Sequence, residues 1–252
     1  MLPIRLTPLW PIFLLGLAKL GYADISDGPI PEYVKQCSRS DPKLKSCLIG
    51  SLHHLRPYLR DGIPEIELPT VEPFYMDELK LSLTGGRNGY TVRLRDLYVK
   101  GASNYTVVGI KLGSSFEAKI HMPKLLLAAQ YTSSGVLLIL PASGNGTFQA
   151  KFEDVSVLLG GNVSTHPRDN KTYLNVDNLN VILKVKDIHM RVRNIFHGNR
   201  ILTEATNLFL QDNGQEVLKL MEPQLKQKLS TLFASIANQL LRHVPVETFL
   251  LP

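Results

Sequence analysis

The chain has 252 residues, with 28 Lys and Arg against 22 Asp and Glu, a formal net charge of +6 and 44% hydrophobic residues. That much apolar material supports a sizeable core and excludes a chain disordered by composition. The basic residues are spread along the sequence with no nucleic-acid-binding module among them, which argues against a nucleic-acid partner.

The first residues read as a secretory signal. Arg5 supplies the positive end, Leu9 to Ala18 the apolar run, and Gly21-Tyr22-Ala23 small residues at a cleavage site. About ten apolar residues cannot cross a bilayer core that needs ~20, and Pro11 interrupts them. The expectation is a signal peptide over 1–23, one domain over 24–252, and a secreted, extracellular protein without integral membrane association. Loss of 1–23 removes Arg5 and Lys19 and no acid, leaving 26 basic and 22 acidic residues, a net +4. Cys37 and Cys47 are the two cysteines, with nine residues between them. In an oxidising compartment that count and spacing predict one disulfide. No His or Cys sits at zinc-like spacing beside them, so no metal is expected.

Asp41-Pro42 predicts a helix start, with Asp41 as N-cap and Pro in the first turn. Leu44, Leu48, Leu52, Leu55 and Leu59 then repeat at helical spacing until Asp61-Gly62. His53 and His54 fall on different helix faces and cannot share a metal, so both are expected to be solvated.

From Leu79 to Phe196 the period changes to two, with a recurring slip of parity. Tyr90, Val92 and Leu94 give way to Leu97 and Val99, and Phe148, Ala150 and Phe152 to Val155, Val157 and Leu159. The same happens between Val176 and Leu179 and between Val185 and Ile188. Such slips predict β-bulges, which bend strands and let a sheet curl round a helix. Turns are expected at Gly85-Gly86, Arg87-Asn88-Gly89, Gly113-Ser114-Ser115, Ser133-Ser134-Gly135 and Gly144-Asn145-Gly146. Sequons at Asn104, Asn145, Asn162 and Asn170 are expected to be exposed loops bearing N-glycans.

Near the C-terminus, Leu218, Met221, Leu225, Leu229, Leu232, Ile236 and Leu240 recur at steps of three and four. That stripe predicts a helix over about 216–241, some 39 Å long at 1.5 Å per residue. The predicted fold class is α+β: a strongly curved, bulged antiparallel sheet folded about this long helix.

No nucleophile elbow, zinc-protease helix, P-loop or dinucleotide fingerprint occurs. His121, His166, His189, His197 and His243 stand singly. The expectation is a non-enzyme without cofactor.

The residues themselves then carry a resemblance. Pro31-Glu-Tyr-Val-Lys-Gln-Cys37, Asp41-Pro42 to Cys47, Gly62-Ile-Pro-Glu-Ile66, Asn194-Ile-Phe-His-Gly-Asn199, Leu208 to Glu216 and Val244-Pro-Val-Glu-Thr-Phe249 together resemble the insect takeout and juvenile hormone binding protein family. The resemblance implies a tubular lipid-binding fold with an elongated apolar cavity between helix and sheet, carrying a terpenoid or other small lipid. The hormone-binding branch has a second disulfide, which this chain lacks, so the takeout branch is favoured. Gly214 stands where the family often has an aromatic, which implies a looser helix entrance. Expected cavity-lining residues are Met221, Leu225, Leu229 and Phe233 from the helix, and Phe116, Ile120, Tyr131, Phe148, Phe152 and Val157 from the sheet. Tyr131 alone among them offers a polar handle for a ligand oxygen. Periodicity points these residues inward and does not distinguish a lined cavity from a packed core. A membrane-surface or lipopolysaccharide binder of the same superfamily would need concentrated basic charge, and a lipid-acting hydrolase is the remaining alternative.

Overall fold

The computed structural model describes residues 29–82, 89–113, 115–137, 140–141, 143–193 and 199–252. The expected signal segment, the Gly85 to Asn88 turn positions and the Asn194 to Gly198 part of the family motif lie outside these residues.

An N-terminal lobe holds strand β1 (Cys37–Ser38) and helices α1 (Leu44–His54) and α2 (Arg56–Asp61). Strands β2 (Phe74–Ser82), β3 (Thr91–Lys100), β4 (Thr106–Leu112) and β5 (Phe116–Ser134) follow, then the small pair β6 (Val136–Leu137) and β7 (Leu140–Pro141). Two long strands come next, β8 (Gly144–Arg168) and β9 (Lys171–Arg193). Helices α3 (Arg200–Asp212), α4 (Gly214–Leu241) and α5 (Val246–Phe249) lead into β10 (Leu250–Leu251). The main sheet runs β2-β3-β5-β8-β9, antiparallel throughout, with β4 paired to the first half of β5. Asp169 and Asn170 turn β8 into β9, both with positive φ of 51° and 58°. Two such residues in succession make the primed turn whose twist suits a hairpin, and Asp and Asn tolerate that conformation.

The slips of parity divide into two kinds. Between Arg95 and Tyr98 the register of β3 against β5 shifts, and between Asn162 and Val163 the register of β8 against β9 shifts, leaving Asp177 extra in β9. These are bulges, as expected. At Phe152 to Val155 and Val185 to Ile188 the expected bulges are not found, because register is kept on both sides of the slip. Here β5, β8 and β9 change parity together: Met122, Val155 and Val185 face inward on one side, and Leu125, Phe152 and Ile188 on the other. Asp154 adopts φ 51° at the line. A neighbour that slips in step needs no extra residue, so the sheet creases along a line instead of bulging strand by strand. Outside the crease, Asp154 meets Lys186 at 3.3 Å and His121 at 3.9 Å.

Gly144-Asn145-Gly146 does not turn; it opens β8 and pairs with Ser133, Thr132 and Tyr131. A β-carbon at Gly146 would collide with the Arg193 carbonyl and lie 3.2 Å from the Tyr131 ring. Glycine here serves close backbone approach within a strand.

Helix α4 crosses the open side of the curled sheet and touches both edge strands, β9 and β2. An edge strand has unpaired backbone groups that must find partners. Side-chain amides supply them. Asn207 of α3 pairs with Val192 through both its amide atoms, at 2.8 and 3.1 Å, and Asn238 of α4 does the same with Val176, at 2.7 and 3.0 Å. Gln215 donates to the carbonyls of Val185 and Lys186. On the other edge, Gln224 both donates to and accepts from the Ser82 backbone. Gly214, expected to loosen the helix entrance, does the reverse: it is buried, and a β-carbon there would lie 3.3 Å from Ile188. Its missing side chain lets the first turn of α4 sit tightly on β9.

In the lobe, the expected single helix breaks at Leu55, because Pro57 opens a second helix and cannot continue the first ladder. Asp41 bonds the Lys43 N–H at 2.7 Å and the helix proper starts at Leu44. His53 and His54 are not simply solvated. His53 Nε2 accepts the Val107 N–H at 2.8 Å, and burial followed by the Arg56 charge lowers its pKa, which keeps the accepting imidazole neutral. His54 donates to the Glu32 carbonyl at 2.7 Å. Cys37 and Cys47 are bonded, with Cα atoms 5.9 Å apart, and β1 pairs in parallel with β10. The bond therefore ties α1 to the strand that anchors the chain's end. Replacing both cysteines with Ser is expected to lower unfolding free energy by about 3 kcal/mol in denaturant melts. Probe affinity of the folded variant should stay within about twofold, about 0.4 kcal/mol.

Candidate ligand-binding site

The concave face of the sheet and the stripe of α4 enclose one apolar cluster. Leu81, Val155 and Val181 in it are almost wholly buried. The helix residues that face it, Met221, Leu225, Leu229 and Phe233, are only half-buried, as are Leu125, Leu127, Phe148, Phe152 and Leu183 opposite. The stripe of a central helix in a solidly packed interior would be closed to solvent. Here the facing side chains keep some exposure. A cleft of about 480 Å³ lies along the seam of α4 and β9, lined by Val181, Leu183, Leu218 and Leu225 among others. Lys184, Lys219 and Lys226, with Glu216 and Glu222, stand at its rim. The volume falls within the roughly 300–1,000 Å³ of small-molecule sites.

Tyr131 supplies the polar feature of this interior. Its residue is 4% exposed and its hydroxyl has no hydrogen-bond partner among the described residues. Burial, with Tyr90 nearby, pushes the phenol up to about 12. A buried hydroxyl without a partner carries an uncompensated desolvation cost of about 1–3 kcal/mol. A ligand oxygen that accepted its proton would remove that cost.

Nine of the ten expected lining residues belong to this one cluster: Ile120, Tyr131, Phe148, Phe152, Val157, Met221, Leu225, Leu229 and Phe233. Val157 is closed off at 3% exposure. Phe116 lies apart from the cluster at the start of β5, its ring against Gly161 of β8. Strand parity chose its face and carried no information on how far along the sheet the helix passes. The amides of Asn207, Gln215, Gln224 and Asn238, which hold the helices on the edges of the sheet, were not singled out. They break the apolar period of their helices and read as solvent positions until the strand edge beside them is known. All four sequon asparagines are exposed. Asn170 lies in the β8–β9 turn and Asn104 in a short 3-10 turn, whereas Asn145 and Asn162 lie within β8 and not in loops. Among the described residues no group of three His, Cys, Asp or Glu side chains gathers to hold a metal, and no helix is long and apolar enough to cross a membrane.

The model of the haemolymph juvenile hormone binding protein family matches residues 12–251. The chain belongs to this family. It is 23% identical over 253 residues to the circadian clock-controlled protein daywake of Drosophila melanogaster, spanning 94% of this chain and 96% of that protein. Against daywake of Drosophila yakuba it is 24% identical over 239 residues, spanning 90% of each. The crystal structure of Takeout 1 from Epiphyas postvittana superimposes with a TM-score of 0.77 at 20% identity, covering 87% of this chain and all of that one. That likeness shows the fold: a half-barrel of antiparallel strands with a long C-terminal helix across it. The family is one of binding proteins for hydrophobic ligands, and its membership supports binding in place of catalysis.

Proposed function

We propose that the protein is a secreted, non-enzymatic carrier of a small hydrophobic ligand, a terpenoid or similar lipid bearing an oxygen acceptor. The observation that carries this reading is the Tyr131 hydroxyl, buried without a partner among the described residues and set among apolar side chains several of which are only half-buried. Residues 1–23 would be the signal peptide and 24–252 the single mature domain. The proposed contacts are Ile120, Phe148, Phe152, Val157, Met221, Leu225, Leu229 and Phe233, with Tyr131 donating to the ligand oxygen and Phe116 at the margin.

Binding of this kind draws its free energy from apolar area leaving water, roughly 25 cal/mol per Å². Association costs offset part of it, and a C15-sized molecule still reaches about micromolar affinity. The term depends little on ionic strength. Native mass spectrometry of the secreted protein should reveal a co-purified apolar molecule. Titration with a fluorescent apolar probe should give affinities within about threefold at low and high salt, about 0.7 kcal/mol. A tenfold loss with salt, or no probe binding at either ionic strength, would sink the carrier reading.

A further inference from the structure

Basic residues that are scattered in sequence are gathered by strand register on the outer face of the sheet. Tyr98, Ala128, Gln149 and Arg191 form one cross-strand row. Lys100, Leu126, Lys151 and His189 form the next, and Arg95, Gln130, Thr147 and Arg193 flank the first on its other side. Glu153 takes Lys151 at 2.7 Å and faces His189 at 3.9 Å. Among the described residues no carboxylate lies within ion-pair distance of Arg95, Lys100, Arg191 or Arg193. A groove of about 630 Å³ lies over the first two rows, bounded by Tyr98 and by Gln211 of α3.

Tyr98, Leu126 and Ala128 make one side of this groove apolar, and Lys100, Lys151 and Arg191 stand about it. Leu126 is 42% exposed, and Tyr98, 45% exposed, lies 5.0 Å from the ring of Tyr75. Exposed Leu and Tyr ringed by unpaired Lys and Arg is the composition that the headgroup region of a bilayer accommodates, the rings and aliphatic stems entering it and the charges meeting phosphate. The face also adjoins the seam cleft. His189 and Val185 are four residues apart on β9, about 13 Å at 3.3 Å per residue, and the rim of the cleft carries Lys184, Lys219 and Lys226 with Glu216 and Glu222.

We propose that this outer face docks the protein on anionic lipid bilayers, bringing the α4–β9 cleft to the headgroups for cargo exchange. The exchange part rests on the carrier reading; the docking part does not.

The full chain is to be sedimented with phosphatidylcholine vesicles with and without phosphatidylglycerol, at low and high salt. Binding to the anionic vesicles, lost at high salt, is expected. Lys100→Glu with Arg191→Glu should reduce partitioning by about tenfold or more, since each basic residue near such a surface contributes separately. Lys43→Glu with Lys45→Glu, an equal charge change on the N-terminal lobe, should reduce it by less than about threefold, because exposed charges beyond a Debye length act weakly. Retained apolar-probe binding shows that each variant is folded and reports on the carrier reading separately. Equal binding to neutral vesicles, no binding to either, or equal loss in both variant pairs overturns the proposal. Capture of polyglutamate without vesicle binding also overturns it, in favour of an acidic polypeptide partner.

Discussion

Leu225→Trp is expected to weaken apolar-probe binding by about tenfold, or 1.4 kcal/mol, while changing unfolding free energy by less than about 1 kcal/mol. Leu225 faces the interior cluster and also floors the seam cleft, and it is only half-buried. A larger side chain placed in a solid core forces strained rotamers and costs about 1–3 kcal/mol. Placed in open space it fills that space, and the ligand alone loses. The pair of measurements therefore separates a lined cavity from a packed core, which periodicity cannot do. A stability loss with unchanged probe affinity would show that the helix packs solidly there. Tyr131→Phe tests the polar end of the same site. Removing a hydroxyl that has no partner should leave the free protein equally stable or up to about 1 kcal/mol more stable. An oxygenated terpenoid should lose about 0.5–1.5 kcal/mol of affinity, the value of one hydrogen bond, and a pure hydrocarbon none. Equal losses for both ligands would mean that Tyr131 donates to neither.

Asn238→Ala is expected to lower unfolding free energy by about 2–4 kcal/mol. Its side chain satisfies both the N–H and the C=O of Val176, a buried residue on the edge strand β9, and truncation leaves two backbone groups unpaired. Each such group costs about 1–3 kcal/mol when water cannot replace the lost partner. Gln224→Ala is the contrast. It removes a similar two-bond pairing, but Ser82 is exposed and water takes over, so the loss should stay below about 1 kcal/mol. Urea melts of the two variants settle this, and equal losses would show that the edge at Val176 is open to solvent. The difference also describes how α4 is held, firmly along β9 and lightly on β2.

Much of the architecture was legible from local pattern. A stripe at steps of three and four gave the C-terminal helix to within two residues at its start and none at its end. Alternation gave the strands and placed five of the six expected sheet residues in the apolar cluster, because burial on one side of a strand imposes a period of two on the chain itself. Two cysteines in close succession gave their own bond. The parity slips were visible too, but their nature was not. An extra residue and a crease shared by three strands leave the same trace in one strand, and only the register of the neighbours tells them apart.

The sequence by itself determined the long C-terminal helix, the alternating strands of the main sheet and the family, since these depend on residues near one another in the chain or on motif order. Tertiary structure alone decided what those elements enclose and expose. Asn238 reaches Val176 across 62 positions, and Tyr98 shares a row with Arg191 across four strands. The unpartnered Tyr131 hydroxyl is defined by what all its neighbours fail to offer. Such relations arise from cross-strand register and from the path of α4 over the sheet, quantities that no single stretch of sequence carries.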